Sequence, residues 1–261
     1  MPDREKETNV LTFSLQSGSN GNSVYVEADG VRLLFDAGIS GRQARQRMAT
    51  YDRSIRDVDA LLLTHDHADH ICCAGIYQRL FGLPIYVTRP TYRVIRGQLG
   101  KLRDVRHFRA GESLSFGPVT VHTQPTPHDA VDGVIFVVES RRKRLGIFTD
   151  LGHPFEGLSE LLEGVDAAYL ESNYDPHLLA EGPYPADLKA RIRGAGGHLS
   201  NEESAQLVRL CGRRHRWIAL AHLSEQNNHP DVALQAHRSV LGGDQSLTVA
   251  GRYGVSALLR V

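Results

Sequence analysis

Residues 61–71 read LLLTHDHADHI, and no other stretch limits the folding options of this chain so narrowly. Three histidines and two aspartates, His65, Asp66, His67, Asp69 and His70, fall within six positions. Ahead of them runs Ala60-Leu61-Leu62-Leu63, a short apolar segment of the kind that forms a buried strand and delivers its tip to a site. Behind them, residues 71–81 carry Ile71, Ala74 and Leu80 at helical spacing. The pattern predicts a polar loop held between a rigid strand and a rigid helix, where preorganised sites are usually built. In an extended or tightly turning segment, His65 and His67 can face one metal ion while Asp69 and His70 turn toward a second position. Neutral imidazole and carboxylate suit zinc and, with more oxygen ligands, manganese or iron. The competing reading is a solvated polar loop with incidental histidines, which accounts poorly for H-x-H-x-D-H behind a strand-like run.

Further ligands must come from elsewhere in the chain. Its 261 residues suffice for one large domain, 1–261, with a substantial core, and 41% hydrophobic with 23% charged residues is ordinary for a soluble globular protein. Thirty basic and thirty acidic residues cancel, so no global field draws the chain to nucleic acid or membrane, although a local basic rim stays open. Residues 1–9, MPDREKETN, are charged and lack the apolar core of a secretory signal. No run approaches the roughly 18 apolar residues of a membrane span. Cys72, Cys73 and Cys211 are odd in number and form no C-x-x-C pair. They read as packed thiols in a reducing cytoplasm rather than as a disulfide framework.

Taken in order, strands are expected at 10–15, 23–28 and 31–35, with Asp29-Gly30 as a hairpin turn. The turn Ser17-Gly18-Ser19-Asn20-Gly21-Asn22 could expose backbone N–H groups as an anion nest with Ser19, Asn20 and Asn22 toward substrate; a plain hairpin turn reads equally well. The third strand ends in Asp36-Ala37-Gly38. A helix at 41–49, strands at 59–64 and 84–87, and a helix opening at Pro90 follow. Between Arg89 and Arg109 stand seven basic residues (Arg89, Arg93, Arg96, Lys101, Arg103, Arg106, Arg109) against one acid, Asp104. Such a run is either a solvated helix face or a rim that contacts phosphates. The second half repeats the style of the first, with strands at 114–116, 119–124, 133–139, 145–149, 167–170 and 217–221. Helices are expected at 158–162, from 201 to about 211 behind a Ser200/Glu203 capping box, and at 230–241. Strand exits present His128, Asp150, Glu171 and His222, and Gly182-Pro183-Tyr184-Pro185 leads to Lys189, Arg191, Arg193 and then His198.

The order H-x-H-x-D-H, then a distant His, Asp and His, resembles the metallo-β-lactamase superfamily. That resemblance implies an α/β (α+β) fold, the four-layer αββα sandwich, with its site along one edge. It implies that His65, His67 and His128 hold one divalent ion and Asp69, His70 and His222 a second, with Asp150 bridging. Asp36 would steady a ligand histidine. Within the superfamily the chain is similar to the YycJ/WalJ group, small relatives of tRNase Z. The likeness rests on the 17–22 turn, Phe35-Asp36-Ala37-Gly38-Ile39-Ser40, Thr149-Asp150-Leu151-Gly152, Leu170-Glu171-Ser172-Asn173, Gly182-Pro183-Tyr184-Pro185, Gly197-His198-Leu199-Ser200-Asn201 and Ala221-His222-Leu223-Ser224-Glu225-Gln226-Asn227-Asn228. Tyr174 departs from the histidine usual in that group.

The resemblance implies a phosphodiesterase acting on nucleic acid, DNA above all, as a 5′-end-directed exonuclease. Two ions, Zn²⁺ or Mn²⁺ with iron as a further option, would carry a bridging hydroxide as nucleophile. His198, oriented by Glu171, is the candidate general acid, and Asp69 completes the catalytic set. Arg191 and Arg193 are candidates for holding flanking phosphates. The alternative is a small-molecule hydrolase, a lactonase or thioester hydrolase, on the same metal site. A non-catalytic metal-binding module is a third class, against which the complete ligand set argues.

Overall fold

Along the chain, strands whose two faces are both apolar alternate with helices that have one apolar face, so the strands must be covered on both sides. The structure, a computed structural model, describes residues 10–261; the charged stretch 1–9 lies outside the described residues. The first half runs β1 (Leu11–Gln16), β2 (Ser23–Ala28), β3 (Val31–Phe35), α1 (Gly41–Ala49), β4 (Ala60–Leu62), α2 (Ala68–Ile71), α3 (Ala74–Phe81), β5 (Ile85–Thr88), α4 (Arg89–Leu99) and β6 (Val105–Phe108). The second half begins with β7 (Ser113–Phe116), β8 (Val119–Pro125), β9 (Val134–Ser140), β10 (Lys143–Phe148), α5 (Leu158–Glu163) and β11 (Ala167–Glu171). It continues with α6 (Pro176–Glu181), α7 (Ala186–Arg193), α8 (Asn201–Leu210), β12 (Ile218–Ala221), α9 (Pro230–Leu241), β13 (Leu247–Val249) and β14 (Leu259–Arg260).

Two seven-stranded sheets result, in the orders β14-β1-β2-β3-β4-β5-β6 and β13-β12-β11-β10-β9-β8-β7. Each is antiparallel over its hairpin-linked strands and parallel where helices make the crossovers: β3 to β6 in one, β10 to β13 in the other. The side-chain period of two sorts each strand between layers. Leu33, Phe35, Ala60 and Leu62 face the opposite sheet, where Phe35 meets Phe136 with ring centroids 5.1 Å apart. Leu34, Leu61 and Leu63 face outward and pack with Ala44 and Met48 of α1, Tyr77 of α3 and Ile95 of α4. Leu158, Val208 and Ala233 of α5, α8 and α9 cover the second sheet in the same way. Each fully buried leucine contributes about 1.5–3 kcal/mol. This is the four-layer αββα arrangement expected above. Among the described residues no helix is long and apolar enough to cross a membrane.

Several local expectations need correction. The segment after β4 is not loop as far as Ile71, because α2 begins at Ala68 and carries Asp69 and His70 on its single turn. Leu80 is exposed, and the buried face of α3 is Ala74, Gly75, Tyr77 and Gln78. The basic run is split between α4 and an edge strand, β6, whose Arg106 and His107 point to solvent. Lys189 and Arg191 stand on a helix, α7, not on a turn.

Candidate metal centre

The parallel strands of both sheets end at one edge of the sandwich, and the polar residues singled out above leave from those ends. Asp36 follows β3, Thr64 and His65 follow β4, Asp150 follows β10, Glu171 closes β11 and His222 follows β12. Asp36, Asp150 and His222 adopt left-handed backbone, with φ of 62°, 57° and 54°. Each such turn costs a residue with a Cβ about 1–2 kcal/mol, so surrounding bonds must hold it. For His222 one of these is its N–H donating to Ser17 Oγ at 2.8 Å. Gly38 lies so near α2 that a Cβ there would sit 1.6 Å from the Asp69 carbonyl oxygen. The 36–38 turn therefore packs against the α2 turn only because that position has no side chain.

Four donor sets come together, one of them Asp150, Glu171, His198 and His222. Ring nitrogens of His65, His67 and His128 form another; a carboxylate oxygen of Asp69 with His70 and His222 forms a third; Asp150 sits between these two with His65 and His70. Within each set the ligand atoms lie within 4.8 Å of one another. Asp150 Oδ2 is 3.3 Å from His70 Nε2, and Asp150 Oδ1 is 3.7 Å from His128 Nε2. His222 Nε2 is 3.4 Å from Asp69 Oδ2.

Bonds on the far side of each imidazole aim it. His70 Nδ1 donates to Asp36 Oδ2 at 2.7 Å, and Asp36 Oδ1 accepts the Thr64 N–H at 2.8 Å. His128 Nδ1 donates to the Gly197 carbonyl at 2.8 Å, and His65 Nδ1 lies 2.9 Å from Thr64 Oγ1. These contacts leave Nε2 of His65, His70 and His128 directed into the cluster, as a metal site requires of its histidines. Glu171, fully buried, reaches His198 Nδ1 at 2.7 Å and His222 Nδ1 at 3.3 Å with the same oxygen, and its other oxygen accepts the Leu151 N–H.

Electrostatics favour cations here. Burial, helped by neighbouring imidazoles, pushes the His65 pKa well below its usual value and also lowers that of His128, so both rings are neutral donors. Burial would raise the acids Asp69, Asp150 and Glu171, but adjacent histidines outweigh it and hold all three ionised. Burial alone would lower His70 and His222; Asp150 and its fellow carboxylates instead pull His70 well above its usual value and His222 up to about 10. Two buried polar atoms at the centre, His65 Nε2 and Asp150 Oδ2, have no hydrogen-bond partner. Unpaired polar atoms sealed from water, among ionised carboxylates and the neutral imidazoles of His65 and His128, fit divalent cations.

The nominated substrate residues are scattered. Ser19 and Asn20 are exposed on the 17–22 turn. Asn22 is buried, its amide donating to Asp69 Oδ2 at 3.1 Å and lying 3.0 Å from His70 Nε2, so it braces the cluster. Arg191 is paired with Asp129 at 2.5 Å, and Asp129 in turn stands 3.5 Å from His128 Nε2. Arg193 is exposed at the end of α7. Tyr174 packs with Leu179 and Ile192 in a small apolar cluster. Sequence reasoning passed over Thr64, Asn173 and Arg252. Thr64 adjoins His65, and Asn173, two residues past Glu171, donates to the His222 carbonyl at 2.7 Å, so both had a local signal in their neighbours. Arg252, whose guanidinium reaches Asn20 Oδ1 at 3.0 Å and the Leu223 carbonyl, had none.

The chain is similar to known proteins over most of its length. The family described as β-lactamase superfamily domain matches residues 31–222, a span containing all seven donors of the cluster. Exodeoxyribonuclease WalJ of Streptococcus pneumoniae is 35% identical over 224 residues, covering 84% of this chain and 83% of its own length. Exodeoxyribonuclease YycJ of Bacillus anthracis is 33% identical over 235 residues, covering 88% and 89%. Among solved structures, the metallo-β-lactamase fold protein YhfI of Bacillus subtilis superposes with a TM-score of 0.74 at 15% identity, covering 97% of this chain and all of its own.

Proposed function

The chain belongs to the β-lactamase superfamily as a hydrolase of the metallo-β-lactamase fold, and on that premise we propose that it is a metal-dependent exonuclease acting on DNA. Two relatives named exodeoxyribonuclease, each aligned over more than four-fifths of both chains, support the substrate class. The observation that carries the reaction type is the Glu171–His198 pair at 2.7 Å, set beside the donor cluster with the His198 ring centroid 4.9 Å from that of His128 and 5.1 Å from that of His222. Hydrolysis of a phosphodiester expels an alkoxide that needs a proton, and an imidazole beside the ions can supply it.

In this reading His65, His67 and His128 hold one ion, Asp69, His70 and His222 the other, and Asp150 lies between them. Zinc or manganese held there would supply Lewis acidity, lowering the pKa of water toward about 7 and offsetting charge on the phosphoryl oxygens. Asp36 and the Gly197 carbonyl fix the tautomers of His70 and His128. Glu171 accepts the Nδ1 hydrogen bond of His198 and so holds Nε2 toward the leaving 3′-oxygen, to which it would give its proton. Attack begins at a 5′ end, and residues 1–261 act as one unit because both sheets supply donors.

The test uses protein loaded separately with Zn²⁺ and Mn²⁺ and duplex or single-stranded DNA labelled at the 5′ end, with Asp150→Ala as control. Early release of labelled mononucleotide, absent in the control, is the expected result. Loss of label only after the strand has been shortened from the other end would reverse the polarity. Turnover of a lactone or thioester with no cleavage of DNA would overturn the nuclease reading.

A further inference from the structure

The donor cluster leaves the basic run of α4 and β6 without a role. Arg89, Arg93 and Arg96 stand at positions i, i+4 and i+7 of α4, all exposed, on a helix that contains no acid. Among the described residues, Arg106 alone of this run is paired with a carboxylate, Asp104 at 3.0 Å. At the head of α4 a cavity of about 710 Å³ opens, lined by Arg89, His107 and Arg109 together with Glu112 and Asp132. Glu112 is engaged by backbone, its carboxylate accepting the Arg109 N–H at 2.9 Å.

Topology puts this cavity next to the donors. Strands β4, β5 and β6 are parallel neighbours, with Leu62 beside Tyr86 and Thr88 beside Phe108. The chain therefore leaves β4 toward His65, β5 toward Arg89 and β6 toward Arg109 at successive points of one edge. The loop after His128 forms the partition: its Val131 N–H donates to Asp66 Oδ1 at 3.1 Å, and its Asp132 lines the cavity. From Arg89, the rise of about 1.5 Å per residue carries Arg93 and then Arg96 away from the edge in steps of about 6 Å and about 4.5 Å.

We propose that Arg89 and Arg109 bind a phosphate of the substrate strand outside the linkage being cut, and that Arg93 and Arg96 continue this contact as a track along α4. The inference deepens the nuclease reading and rests on it. A free anion would need only the cavity. Cations repeated along a helix suit a polyanion, and no base-reading group is required of them.

The test compares the metal-loaded protein with Arg89→Ala/Arg109→Ala and Arg93→Ala/Arg96→Ala on a single-stranded oligonucleotide and on thymidine 5′-(p-nitrophenyl phosphate), which has no phosphate beyond the reacting one. The expected loss is concentrated in KM for the oligonucleotide, about tenfold for the first pair. The plot of log affinity against log salt becomes shallower by about 0.7 for the first pair, the value for one phosphate no longer neutralised. An oligonucleotide KM and salt slope equal to those of the parent, with the parent active, overturn the track alone. Equal losses on both substrates also overturn it, since they would report damage to the donor cluster. A parent protein inactive on both substrates with either metal overturns the nuclease reading and the track together.

Discussion

Asp36 Oδ2 lies 2.7 Å from Nδ1 of His70, both side chains being almost fully buried. The same carboxylate accepts the Thr64 backbone N–H, so one acid ties the end of β3 to the loop after β4 and turns His70 Nε2 inward. Asp36→Asn preserves shape and tolerates the left-handed backbone, since Asn visits that region more readily than most residues. It removes the charge that orients the ring. The expected outcome is about a 10–100-fold loss of metal affinity, measured by competition with a chelator, with the circular dichroism spectrum retained. Unchanged affinity would show that the carboxylate does not act through His70.

His198 is assigned proton donation and not metal binding. His198→Ala should therefore slow cleavage of DNA by about 10²–10⁴-fold while bound metal stays at the parent level. An ester with a p-nitrophenolate leaving group needs no proton and should lose far less. Loss of metal from the variant would recast His198 as a ligand.

Asp150 combines a left-handed φ of 57° with a buried, unpaired oxygen. Asp150→Ala and Asp150→Gly both delete the carboxylate, but only glycine relieves the backbone. In metal-free protein the glycine variant should be the more stable by about 1 kcal/mol in urea unfolding. Equal midpoints would mean that the turn stores no strain.

Away from the site, His237 of α9 is fully buried, donating from Nδ1 to the Ala233 carbonyl, with Nε2 3.2 Å from Ser204 Oγ of α8. Burial pushes its pKa down to about 4. The unfolded chain takes up a proton there near pH 6.5, before the folded chain does, so the stabilising contribution is whole above that pH and falls away toward pH 4. Between pH 6.5 and pH 5 the loss is about 2 kcal/mol from this group. His237→Gln should flatten the acid limb of a stability-against-pH curve by that amount, and a parallel limb in the variant would exclude it.

The donor positions were legible because each sits at the end of an apolar run or inside a dense local motif. His65, Asp150 and His222 follow strands with continuous apolar cores, and His128 follows the alternating strand Val119–Pro125. Asn22 was not legible in the same way. Its partners Asp69 and His70 lie more than forty positions away, so nothing near it distinguishes a brace from a substrate contact. Residues 105–108 were hidden for a different reason. An edge strand that presents Arg106 and His107 to solvent carries the charges that discourage edge-to-edge pairing, and those charges mask the strand in sequence. Pro185 concealed α7 similarly, since a proline in a glycine-proline stretch suggests a turn, yet here it caps a helix.

The hydrogen bond from the His222 N–H to Ser17 Oγ spans 205 positions, and β1 is completed by β14 from the far end of the chain. No amino-terminal fragment short of His222 contains the full donor set, and the strand beside β1 arrives later still. During synthesis strands β1 to β6 can pair while the second sheet is still being translated, but they carry only part of the cluster. Catalytic competence on this plan appears in one late step, after His222 has cleared the ribosome. A chain that ends short of His222 lacks one donor of the cluster.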